Sequence, residues 1–165
     1  MKNTHRVLMG RILQEKKDIH LVIEKIERLI KIAKTSNDDA YFDAVALNLH
    51  GFYTGVERIF KDIAKTIDNE SPSRSDWHKQ LIFQMSADIP GVRPKVITTK
   101  TRYCLDEYRS FRHVVRNVYT FSFRFSRLTE LAEESRSCYQ NVFNDLDSFV
   151  EFLKELDEDD NEQAN

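Results

Sequence analysis

Apolar residues recur along most of this chain at helical spacing. Ile12, Ile19, Ile23, Ile26, Ile30 and Ala33 fall three, four or seven positions apart, which places them on one stripe of a helix from about Thr4 to Ala33. A second stripe holds Phe42, Val45, Leu49, Phe52, Val56, Ile59, Ile63 and Ile67. It predicts another long helix, opened by Asn37 or Asp38 as N-cap and ended near Asn69, ahead of the turn Ser71-Pro72-Ser73. A shorter helix starts near Ser75 and carries Trp77, Leu81 and Met85. Pro90, Gly91 and Pro94 make Ile89 to Lys100 a loop. The next helix begins near Thr101, with Cys104, Tyr108, Phe111, Val115 and Val118 as its stripe. Phe121, Phe123 and Phe125 then alternate as in a strand, but they read better as an aromatic plug. Ser126 caps a last helix that bears Leu128, Leu131, Tyr139, Val142, Leu146, Phe149 and Leu153. The expected fold is all-α: an antiparallel helical bundle of four long helices plus a short one. One domain, residues 1–156, is expected, followed by an acidic, disordered tail over 157–165.

Composition narrows the class. No run of 18 apolar residues exists, so no membrane span is expected. The N-terminus lacks the apolar stretch of a signal peptide. With helices that read as cytosolic, Cys104 and Cys138 are expected to be reduced, buried thiols of a cytoplasmic protein. The net charge of −2 conceals an asymmetry. Without the five acidic residues of the tail, the net charge is +3, and Arg74 to Arg124 alone carries +6. A polyanion would be drawn to that segment, although a merely solvated basic face has the same composition. Dinucleotide and nucleotide phosphate loops are absent, as are CxxC, HxxxH and HExxH. His5, His20, His50, His78 and His113 are not spaced as metal pairs, so no metal and no cofactor are expected. His50 lies beside the apolar stripe and reads as a histidine at the edge of the core.

One constellation carries chemistry. On an ideal helix Arg109, Arg112, Arg116 and Tyr119 share a face, with Leu105 below them. Like charges stacked this way repel one another. Planar guanidiniums suit such a stack to phosphates, whose oxygens they bind in pairs.

The segment Phe111-Arg112-His113-Val114-Val115-Arg116-Asn117-Val118-Tyr119 resembles the R-x4-H-x-Y motif of HEPN-domain ribonuclease toxins of the HepT type. Gly51-Phe52-Tyr53-Thr54-Gly55-Val56-Glu57-Arg58-Ile59, Trp77-His78, Leu81, Met85 and Arg93-Pro94 are similar to a HepT-like subfamily. The detailed likeness covers about Ala40 to Tyr119; elsewhere only the helical pattern agrees. The resemblance implies a metal-independent endoribonuclease toxin that works as a homodimer, with two motifs facing a shared cleft. Its implied partners are an RNA substrate and a small nucleotidyltransferase (MNT) antitoxin that adds AMP to the motif tyrosine. Carried onto this chain, Arg112 is the motif arginine and Tyr119 the AMP acceptor; Arg109 and Arg116, on the same helix face, read as RNA contacts, with the antitoxin or water as other partners for Arg116.

The motif histidine falls on Asn117. In the family reading it assists attack of the ribose 2′-hydroxyl on the neighbouring phosphate, a task for a group that titrates near neutrality. Asparagine cannot exchange that proton, and losing such assistance costs about 10²- to 10⁴-fold. Three accounts stand side by side: a deliberately inactivated toxin, a natural member that binds without cutting, or replacement by His113. Asn117 also lies about 140° around an ideal helix from Arg112. The motif therefore needs a helix distortion, a helix end or a partner subunit to assemble. The alternative function is a non-catalytic HEPN module that binds RNA or nucleotide or scaffolds a partner.

Overall fold

The computed structural model describes residues 2–117, 119 and 124–162. They form five α-helices and no strand. These are α1 (Lys2–Thr35), α2 (Ala40–Ile63), α3 (Trp77–Met85), α4 (Thr99–Asn117) and α5 (Phe125–Glu162). The expected all-α bundle, four long helices and one short, is the architecture found. α1 packs on α2 and α5, and α4 lies against α2, α3 and α5. Ile12, Ile23, Ile26, Val45, Leu49, Phe52, Val56 and Ile63 are wholly excluded from solvent, so the two long stripes meet as the core. Gly55 lets α1 and α2 approach closely, since a Cβ there would stand 2.8 Å from Cγ1 of Ile19. Salt links tie α1 to α5 on the rim: the Arg136 guanidinium grips both carboxylate oxygens of Glu27 at 2.7 and 2.8 Å.

Local detail departs from the helical pattern in ways that have physical causes. α2 is prepared by Asp38, whose carboxylate accepts the Ala40 N–H at 3.0 Å. It ends in a π-helical turn, Ala64–Asp68, which Asn69 stops by taking a left-handed conformation at φ 55°. The turn puts Asp68 beneath the loop after α3. There Arg93 donates to its carboxylate through Nε at 2.6 Å and Nη2 at 2.7 Å, and both side chains are fully enclosed. The same guanidinium also donates to the carbonyls of Gln84, Ala87 and Pro94. Gly91, at φ +74°, turns the chain so that Arg93 can fold back. α5 starts at Phe125, one residue before the expected cap. The Phe125 ring stacks on Phe42 with centroids 4.3 Å apart. Phe121, Phe123 and Val118 lie outside the described residues.

Three expectations are corrected. Cys104 and Cys138 are joined in a disulfide, with Cα atoms 5.8 Å apart, and link α4 to α5. Their separation of 34 residues gave no hint of contact, because helix packing brings them together. The acidic tail does not begin as coil. α5 continues to Glu162, and Asp157 is buried and accepts from Arg6 Nε at 2.9 Å. An acid already paired with α1 extends the bundle instead of leaving it. Finally, the buried face of α4 is Thr101, Leu105, Tyr108 and Phe111, whereas Cys104 and Val115 are only half-buried. Leu105 is therefore a core residue. Arg112, seven positions on, stands in register with it on the edge of the core and not on an open polar face.

Candidate functional site

Because Arg112 follows Leu105 and Tyr108 on the inner side of α4, its stem is drawn towards α2. Its Nε–H is buried with no hydrogen-bond partner among the described residues. Arg109, one turn earlier, is half-buried and donates through Nε to Asp106 at 3.0 Å. Arg116 and His113 are exposed. α4 stops at Asn117, whose amide turns back along its own helix and donates to the His113 carbonyl at 2.8 Å. Tyr119 is 77% exposed just beyond. The motif residues thus spread from the margin of the core to the open end of the helix.

Two residues that the motif did not single out complete the site. Glu57 of α2 is an acid buried to 4% exposure. Its Oε2 accepts from Nδ1 of His78, at the start of α3, at 2.5 Å. The His78 ring also lies against Trp77, with centroids 3.5 Å apart, and Lys61 sits over the other partner of that stack, 3.8 Å from the Trp77 centroid. Tyr53, one turn before Glu57, buries its hydroxyl nearby. Burial first, and then the Glu57 charge, push that phenol far above its usual range. The signal in sequence was a lone carboxylate inside an apolar stripe, between Val56 and Phe60.

His78, Arg109, Arg112 and His113 line a single cleft of about 220 Å³, with Ser75, Asp76 and Lys79 at its rim. Its walls are the beginning of α3 and the basic face of α4. A larger cleft of about 490 Å³ lies at Glu70–Arg74 and Gln84. Its two carboxylates, Glu70 and Asp76, set against one arginine, do not favour a polyanion. His50 belongs to the same neighbourhood as the motif. Burial, then the charges of Arg112 and Arg116, hold its imidazole below the ordinary range. The expected core-edge histidine therefore feels the motif directly.

The arrangement offers guanidinium donors for a phosphate and an imidazole fixed by a carboxylate, within one concave site. Among the described residues no group of three or more His, Cys, Asp or Glu side chains is placed to hold a metal ion. No described helix is long and apolar enough to cross a membrane.

No curated protein and no solved structure matches this chain. A family model does match, that of the HepT-like proteins, over residues 44–153, from the start of α2 through most of α5. That span contains the buried Glu57, His78 and the whole of α4, and it covers most of the chain: the protein belongs to the HepT-like family.

Proposed function

We propose that this protein is a toxin-type endoribonuclease that needs no metal and acts on RNA at the cleft beside Arg112. The observation that carries the reading is the Arg112 guanidinium, whose buried Nε–H lacks a partner among the described residues while its neighbour Arg109 lines the same cleft. A buried donor left unsatisfied costs about 1–3 kcal/mol, and a phosphate oxygen would relieve that cost. A guanidinium so placed also stabilises the charge that grows on the non-bridging oxygens as the 2′-hydroxyl attacks.

The reading includes a homodimer, which would set two copies of this basic cleft side by side. It includes a small nucleotidyltransferase as antitoxin, with Tyr119 as AMP acceptor, and a cytoplasmic location where RNA is at hand. An adenylate on Tyr119 would carry a phosphate towards Arg116 and Arg112, obstruct RNA and cancel attracting charge. Mass spectrometry after incubation with the cognate nucleotidyltransferase and ATP should show AMP on the parent and none on Tyr119→Phe. Equal labelling of the two would remove Tyr119 from the scheme.

A second reading, an RNA-binding module without cleavage, is favoured by Asn117, which cannot transfer a proton. Labelled RNA incubated with the protein in excess chelator separates the two. Cleavage that disappears in Arg112→Ala supports the ribonuclease. Tight binding without cleavage supports the module.

A further inference from the structure

The cleft holds a better-placed proton acceptor than any residue of the motif. We propose that His78, oriented by Glu57, takes the proton from the attacking ribose 2′-hydroxyl, the task Asn117 cannot perform. The proposal rests on the ribonuclease reading and names the group that reading lacks.

Geometry carries it. Asn117 spends its amide on the His113 carbonyl of its own helix. His113 is exposed; its ring Nδ1 meets the Asn117 amide at 3.2 Å, and among the described residues no carboxylate contacts it. His78 is held on two sides, by the Glu57 carboxylate at Nδ1 and by the Trp77 ring. Its side chain stays 19% exposed, while that of Glu57 is 5% exposed. A carboxylate accepting the Nδ1–H fixes the tautomer and leaves the Nε2 lone pair for chemistry. The same imidazole lines the cleft with Arg109 and Arg112, so acceptor and phosphate donors converge on one space.

The step balances without a co-reactant. Nε2 of His78 takes the 2′-hydroxyl proton as the 2′-oxygen bonds to phosphorus. The P–O5′ bond breaks, and the departing 5′-oxygen takes a proton from water. The products are a 2′,3′-cyclic phosphate and a 5′-hydroxyl, and His78 returns its proton to solvent. Glu57 is a positioning residue: it holds the ring and stabilises the imidazolium that forms.

The test uses the full-length protein, a labelled oligoribonucleotide and excess chelator. Affinity is measured separately on the 2′-deoxy oligonucleotide of the same sequence, which cannot be cut. His78→Ala should lose about 10²-fold or more in cleavage, with affinity within about threefold of the parent. Added imidazole should restore part of that loss. His78→Asn, which can still donate to Glu57, should melt like the parent and be as inactive as His78→Ala. Glu57→Gln should lower kcat about tenfold, displace the pH profile and leave KM nearly unchanged. If His78→Ala and His78→Asn cut at the parent's rate while Arg112→Ala does not, the ribonuclease reading stands and this proposal is wrong. Loss of activity that follows a lowered melting temperature, without imidazole rescue, also overturns it. If the parent itself leaves RNA intact, the ribonuclease reading falls and the proposal with it.

Discussion

Arg93 and Arg112 are both arginines drawn into the margin of the core, and they end in opposite conditions. Arg93 has all five N–H donors committed, two to Asp68 and three to backbone carbonyls, and it has no exposure to solvent. Arg112 keeps a buried Nε–H without a partner among the described residues, at the wall of an open cleft. Two of the buried acids differ in the same way. Asp68 is closed in by Arg93 and by Gln84, which donates to it at 2.6 Å, while Glu57 holds a histidine that lines the cleft. A network with every donor used can only hold the fold together. One that is satisfied on its inner side and open on its outer side has capacity left for a ligand. Sorting polar groups by what they still lack separates the staple from the site.

Breaking the closed network should have the largest effect, and on stability alone. Arg93→Ala leaves the Asp68 carboxylate buried and unpaired, which costs about 3–5 kcal/mol. The melting temperature should fall by roughly 10 °C or more, while RNA affinity of the still-folded fraction stays at the parent's value. A melting curve unchanged by this substitution would remove the distinction between the two arginines.

Arg112→Ala should do the reverse. Cleavage should drop by about 10²- to 10³-fold, the usual loss when one donor to a developing oxyanion is removed. Thermal stability should change by no more than about 1 kcal/mol, because the lost packing of the aliphatic stem is offset by removal of the unpaired Nε–H. Unfolding comparable to that of Arg93→Ala would mark Arg112 as structural.

Asn117→His sharpens the comparison within α4. If His78 supplies the proton acceptor, an imidazole at the exposed helix end should change cleavage by less than about tenfold, below what a new acid–base group usually contributes. A gain of several hundredfold would return the chemistry to the motif position. Arg116→Ala, at an exposed arginine proposed to meet phosphate, should weaken RNA binding for all sequences alike and reduce the salt slope by about one.

The smallest effect is on His50. Its imidazole is held low by burial and by Arg112 and Arg116, so it is neutral near pH 7 in the free protein. A phosphate at those guanidiniums would offset their charge and raise the His50 pKa, so RNA binding should draw protons towards this ring. NMR titration of the ring with and without the 2′-deoxy oligonucleotide should show the rise; an unmoved titration would put the phosphate elsewhere.

The fold was legible because it depends on local period. The stripes of α1, α2 and α5 repeat for many turns, and each such repeat can satisfy only one face. α4 was read less well. Cys104, Tyr108, Phe111 and Val115 are apolar, yet the buried face is centred on Thr101, Leu105 and Tyr108. One threonine and a rotation of roughly 60° were enough to move Arg112 from the polar face to the core margin. The π-helical turn that delivers Asp68 to Arg93 left no mark in the apolar spacing. Contacts between distant segments were out of reach for the same reason. Glu57 and His78 are separated by 21 positions, and Cys104 and Cys138 by 34. In each case it is helix packing, and not sequence spacing, that makes them partners. The motif itself could be recognised, but its spacing carried no information about the histidine that meets it from α3.

The most direct measurement is the chemistry of the RNA ends produced by the unmodified protein in excess chelator. The account predicts cleavage at the same rate with and without chelator, leaving a 2′,3′-cyclic phosphate on one fragment and a 5′-hydroxyl on the other. Intact RNA under these conditions, or cleavage that appears only when a divalent cation is added, would contradict it.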